Sequence, residues 1–138
     1  MKQIFVDTSA WDAIADSADA HHLAALRFKD EMAGQYRLVV TNYVLDELYT
    51  LLLMNIGYQR AVAFKRQLDA LTQEGVLKVV WVSEEIAAEA WRVFERFDVD
   101  KEWSFTVCVS YTMMKRLGIN EVFAFDHHFA QMGFACRP

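Results

Sequence analysis

Apolar residues in this chain fall into short unbroken runs and longer runs spaced at helical intervals, and the two kinds alternate from end to end. "QIFV" (3–6) is a compact β-favouring run that stops at "DTSAW", where Asp7, Thr8 and Ser9 supply helix-start chemistry. A strand feeding a helix is the expectation there. "HHLAALRFKDEMA" (21–33) has helical spacing and ends at Gly34, and "YRLVVT" (36–41) reads as a second strand. Two further helices follow, "NYVLDELYTLLLMNIG" closed by Gly57 and "YQRAVAFKRQLDALTQ" closed by Gly75. "LKVVWV" (77–82) is a third strand, and Ser83 with Glu84 and Glu85 opens the helix "EEIAAEAWRVFERF". A helix over about 104–117 stops at Gly118, "EVFAF" (121–125) gives a fourth strand, and "GFACR" (133–137) a short fifth.

Strands separated by helices and apolar on both faces predict a parallel sheet covered on two sides. The fold class is therefore α/β, with four to five parallel strands between helical layers. No repeat or linker interrupts the order, so residues 1–138 form a single domain. In such sheets ligands bind beyond the carboxyl ends of the strands, where the strand order reverses.

Composition narrows the picture. A hydrophobic content of 54% with one Pro argues for a packed globule, whose ten Phe, five Tyr and four Trp fill a core or a subunit interface. Cys108 and Cys136 lack any metal-binding spacing and read as reduced thiols in a cytoplasm. No apolar run reaches membrane-spanning length, and "MKQIFV" is too short for a signal peptide. A net charge of −5 counts against a passive nucleic-acid binder. A nuclease that meets phosphate through bound cations remains compatible with it.

Acidic residues carry the candidate chemistry. Asp7 follows the first strand and Asp126 the fourth, which places both carboxylates at one sheet edge although they are far apart in sequence. Glu47 lies in the first two turns of the helix after the second strand, and helical side chains lean back toward that edge. Clustered carboxylates need cations or raised pKa values, and oxygen ligands favour Mg²⁺ or Mn²⁺ over zinc. The matching reaction is metal-assisted phosphodiester hydrolysis. A helix cap is the ordinary reading of Asp7 or Asp126 taken alone. Asp46 is assigned to solvent, Asp12, Asp16 and Asp19 to a solvated helix face and turn, and Asp98 and Asp100 to a loop. The pairs His21/His22 and His127/His128 are assigned to the surface, the second pair in a loop, where either ring could assist phosphate contact. Met113 and Met114 are core filler, and Arg60, Lys65, Arg66, Lys115 and Arg116 suit solvated helix faces as well as phosphate contact. One position breaks pattern: in "WSFTVCVSYTMM" Ser104 is a natural N-cap, yet Val107 stands where an acid would complete a capping box.

"IFVDTSAW", "TNYVLDELYTLL" and "WSFTVCVSYTMMKRLGINEVFAFDHHFAQMGF" together resemble a PIN-domain ribonuclease close to the VapC toxins, over nearly the whole chain. The resemblance implies a PIN-like three-layer sandwich, a Mg²⁺ (or Mn²⁺) site, endonucleolytic cleavage of RNA, a homodimer, and neutralisation by a cognate antitoxin. Asp7, Glu47 and Asp126 match three of the family's metal-binding acids, and Val107 occupies the place of a fourth, an aspartate. The resemblance thus implies a nuclease impaired at one ligand position. A replaced aspartate and a naturally degenerate member are equally consistent with the sequence. A non-catalytic module that sequesters an antitoxin or another partner is the competing function, and a nuclease of the same fold outside any toxin system is a third.

Overall fold

A computed structural model describes all 138 residues. The elements run β1 (Lys2–Val6), α1 (Thr8–Ala15), α2 (His22–Met32), β2 (Tyr36–Thr41), α3 (Asn42–Ile56) and α4 (Tyr58–Gln73). They continue with β3 (Leu77–Val80), α5 (Glu84–Phe97), α6 (Phe105–Leu117), β4 (Glu121–Phe123), α7 (His128–Gln131) and β5 (Ala135–Arg137). Five parallel strands stand in the order β3-β2-β1-β4-β5. The chain builds outward from β1 on one side, then returns to its other side for β4 and β5. The reversal falls between β1 and β4, and that is where an open parallel sheet leaves a crevice.

Burial explains why the central strands are continuous apolar runs. Ile4, Phe5 and Val6 of β1 and Val39 and Val40 of β2 are fully buried, because helices cover both faces. Leu48 and Leu52 of α3, Met114 of α6 and Phe129 of α7 complete the core over them. The expected α/β sandwich is the observed one.

Differences from the sequence reading are local. β3 ends at Val80, leaving Trp81 exposed, and β4 ends at Phe123. Both strands shorten where no neighbouring strand continues the ladder: the last pairs are Thr41 with Val80 and Val6 with Phe123. His128 opens the one-turn α7 rather than lying in a loop, with Gln131 N–H donating to the His127 carbonyl at 3.3 Å.

Four helices begin on side-chain caps, α1 on Asp7 and three others on hydroxyls. Thr41 Oγ1 accepts from Val44 N–H at 3.2 Å, Ser83 Oγ from Ile86 N–H at 3.2 Å, and Ser104 Oγ from Val107 N–H at 3.1 Å. The last is half of a capping box. A valine at 107 cannot return the second bond, so Ser104 alone fixes where α6 starts. Gly118, at φ 68°, closes α6 in the left-handed conformation that favours glycine.

Replacing Ser104 with alanine is expected to cost about 1 kcal/mol of stability. Urea unfolding should show a lower midpoint at an unchanged slope; an unchanged midpoint would mean that the cap contributes nothing here.

Candidate metal centre

The site grows from the β1–β4 pair. Asp7 N–H donates to the Phe123 carbonyl at 3.0 Å, extending the ladder one residue beyond β1 and setting the Asp7 side chain at the sheet's carboxyl edge. Asp7 is also the N-cap of α1. Its Oδ2 accepts from Ser9 N–H at 3.2 Å and from the Ser9 hydroxyl at 2.7 Å. The same Ser9 oxygen accepts from Phe125 N–H at 3.1 Å. Phe125, Ser9 and Asp7 thus form one chain of hydrogen bonds tying the loop after β1 to the loop after β4. Asp126 is adjacent, and its Oδ1 accepts from His128 N–H at 3.0 Å.

Asp7 is only 3% exposed. Its carboxyl pKa is pushed up to about 8, first by burial, then by the neighbouring charge of Asp126, with the Ser9 hydrogen bonds pulling the other way. Both readings of Asp7 therefore hold at once: it caps a helix and belongs to an acid pair.

A cavity of about 390 Å³ opens over this pair. Asp7, Asp126, Glu47 and Val107 all line it, as placement along the chain led us to expect. Asp12, Asp19 and Glu102 line it too, so six carboxylates face the cavity and no Lys or Arg does. Glu47 is half-buried on its wall while Asp46 faces solvent. The three expected ligands do not, however, converge on one point: no group of three His, Cys, Asp or Glu side chains is close enough to hold a metal ion. Asp7 and Asp126 meet, and Glu47 stands off. Val107, 7% exposed, presents methyl groups to the same wall and belongs to the hydrophobic core.

Several assignments change. Asp12 is half-buried, accepts from Asn55 Nδ2 at 3.3 Å, and has its pKa raised by burial, so its face is only partly solvated. Asp19 lines the cavity while its Oδ1 accepts from His21 N–H at 2.8 Å. His22 is half-buried with Nδ1 at 2.7 Å from the Ala13 carbonyl oxygen, a structural bridge from α2 to α1. His128 is a half-buried lining residue, and Asp98 holds the approach to α6 through Trp103 N–H at 2.9 Å. Asp100 is a surface residue, and Asp16, half-buried, accepts from Ala18 N–H at 2.9 Å in the turn after α1. Ser9 reads in sequence only as helix-start chemistry; its hydroxyl bridge from Asp7 to Phe125 is a further role, foreshadowed by its place two residues after an acid at a helix start.

Comparisons bear on this geometry. The acid pair stands at the switch point of a five-stranded parallel sheet, where α/β domains bind ligands, and the PIN domain family model matches residues 4–135. The chain belongs to the PIN domain family. Within it the chain is VapC-like: it is 36% identical over 137 residues to the 23S rRNA-specific endonuclease VapC20 of Mycobacterium tuberculosis, covering 98% of both. The crystal structure of that protein, described as a sarcin-ricin loop cleaving toxin, superposes with a TM-score of 0.86 at 34% identity, covering 98% of this chain and 99% of that one. A VapC ribonuclease of Archaeoglobus fulgidus is 28% identical over 91% of this chain and 78% of its own length. VapBC2 of Rickettsia felis, at 10% identity and a TM-score of 0.66, shares the fold over 98% of this chain and 97% of that one.

The donor chemistry, though not the spacing of three acids, suits a hard divalent cation: a buried carboxylate faces another with no Lys or Arg in the cavity, and the acids offer oxygen ligands. Without a cation the folded state binds a proton at Asp7 that the unfolded chain, titrating near 3.8, releases. Stability tied to Asp7 is therefore greatest at low pH and declines as pH rises from about 4 to about 8. Thermal melts in chelator at pH 5 and pH 8 are expected to show this loss. Asp7→Asn should flatten the pH dependence and raise the melting temperature at pH 8, by several degrees per kcal/mol of relieved repulsion. An Asp7→Asn variant with the same pH dependence as the unaltered chain would contradict it.

Proposed function

We propose that this chain is a VapC-type endoribonuclease toxin, neutralised by a cognate antitoxin, whose catalysis is impaired because Val107 stands where an aspartate is expected. The observation that carries this reading is the pairing of Asp7 with Asp126 at the β1–β4 switch point, with Glu47 and Val107 on the walls around it. Asp7, Asp126 and Glu47 would hold Mg²⁺ or Mn²⁺. Such a cation supplies charge stabilisation at the phosphate and activation of water for phosphodiester cleavage.

What the chain's own residues contribute follows from their bonds. Ser9 holds the Asp7 carboxylate in one orientation, and its hydroxyl oxygen links it to the Phe125 backbone N–H next to Asp126. His128 N–H fixes Asp126 in the same way. Val107 offers no oxygen, and its methyl groups exclude water from a wall where a carboxylate would orient it. Its N–H stays satisfied by Ser104, so the impairment leaves helix α6 intact.

Protein partners, a homodimer and an antitoxin, are supported by the apolar surface. Trp81 and Tyr43 line a second cavity of about 720 Å³, and Tyr43, Phe105, Phe94 and Trp91 form a continuous ring cluster beside it. Trp81 is 73% and Trp91 52% exposed, which is unusual unless another surface covers them. A cytoplasmic setting accords with two free cysteines and with the absence of any helix long and apolar enough to cross a membrane.

The alternative, a non-catalytic module that sequesters an antitoxin or other partner, is favoured by one observation: the acids fall short of a three-ligand cluster. Val107→Asp separates the two. On the endonuclease reading that variant should cleave ribosomal RNA with Mg²⁺ or Mn²⁺ and arrest growth on expression. Its gain over the unaltered chain should exceed the roughly 10–100-fold contributed by outer-shell partners of a metal. RNA left intact by the folded variant, in either metal, would sink the endonuclease reading and leave the binding module.

A further inference from the structure

The acid-lined cavity lacks the means by which proteins usually hold RNA near a reacting phosphate. No Lys or Arg lines it, so a nucleotide beside the acid pair has only bound cations and uncharged contacts to hold it. The aromatic side chains that line it are His21, Phe125 and His128. His21 and Phe125 are stacked, with ring centroids 4.5 Å apart and planes within 7° of parallel. Phe125 is half-buried and packs edge-on to Phe123, which packs edge-on to Phe28 of the core. His21 is exposed. Its backbone is pinned by the Asp19 side chain, which accepts its N–H at 2.8 Å. One face of the imidazole is thus covered by Phe125, while the residue remains open to solvent at the rim of the cavity. Phe125 also donates its N–H to Ser9 and directly precedes Asp126, so the stack is tied to the acid pair through backbone.

We propose that His21, backed by Phe125, is the stacking platform for a base of a single-stranded or splayed-out RNA segment whose phosphate lies at the Asp7–Asp126 pair. The inference rests on the endoribonuclease reading and adds a positioning residue to it. Stacking suits this place for a physical reason: it gains affinity from a base's π-face, which carries no charge, where six carboxylates oppose the phosphates. An imidazole seated on Phe125, the residue next to Asp126, also fixes the register of the strand rather than its sequence, since every base has a π-face.

The unaltered chain, with Val107, is suited to the test because binding can be read without cleavage. Binding of a fluorescent oligoadenylate about ten nucleotides long, within the range of single-strand sites, would be measured in Mg²⁺ by anisotropy. An oligomer of the same length made of abasic ribose phosphates serves as the control. His21→Ala is expected to weaken oligoadenylate binding about 5- to 100-fold, and His21→Phe to retain it. Neither substitution should alter binding of the abasic oligomer. Undiminished oligoadenylate binding by His21→Ala, failure of His21→Phe to retain it, or an equal loss on the abasic oligomer would overturn the stacking role and leave the RNA reading standing. Absence of RNA binding by the unaltered chain would overturn both.

Discussion

Burial of the Asp7 carboxylate at the end of the central strand is the constraint from which the rest of the site follows. β1 must be central to be covered on both faces, and its ladder with β4 carries the backbone one residue further, to Asp7. That leaves an acid under helix α1 with little solvent, beside a second acid from the neighbouring loop. The fold tolerates this through local bonds from Ser9 and through a proton or a cation at the pair. Ser9 lowers the cost of ionisation without cancelling it, because burial and Asp126 together hold the carboxyl well above its ordinary range. A site that disfavours its own charge is one that gains most when a cation arrives.

Helix and strand existence was legible because each apolar run ended at a recognisable stop. Gly34, Gly57, Gly75 and Gly118 all have positive φ where the sequence places helix ends. Alternation of element types gave the parallel sheet, but not the order of its strands, because a hydrophobic run does not say which neighbour it pairs with. Strand ends were overrun at Trp81 and at Phe125, where apolar residues continue beyond the last ladder partner. α7 was missed because a single turn has too few positions to show a period.

In the candidate site, Asp7, Asp126, Glu47 and Val107 were legible from their position after strands and at helix starts, and all four line one cavity. The short distance between Asp7 and Asp126, with Glu47 set apart, was not legible, since it depends on side-chain direction around a reversal in strand order. Asp12 and Asp19 read as solvated in sequence, and Glu102 did not stand out, for a related reason. An acid on a short helix or in a loop looks solvated until a second element, here α3 or the approach to α6, closes over it. His21 looked like an ordinary surface residue, and it is one by exposure; only its parallel stack on Phe125 distinguishes it.

Residue 107 shows how fold and chemistry separate in this domain. An acid there would complete the Ser104 capping box and suit the helix dipole, effects worth roughly 0.3–1 kcal/mol each at exposed sites. It would also add a seventh carboxylate to a cavity where Asp7 already resists ionisation. Without a cation that repulsion opposes the helix terms, and Val107 instead packs into the core. A cation bound to the native state alone would offset the repulsion, adding stability as the logarithm of its concentration over the dissociation constant. On the proposed reading, the side chain at 107 sets how strongly folding is linked to the metal: valine would weaken that link, while the Ser104 cap, the β1–β4 ladder and the apolar surface around Trp81 and Trp91 do not depend on it.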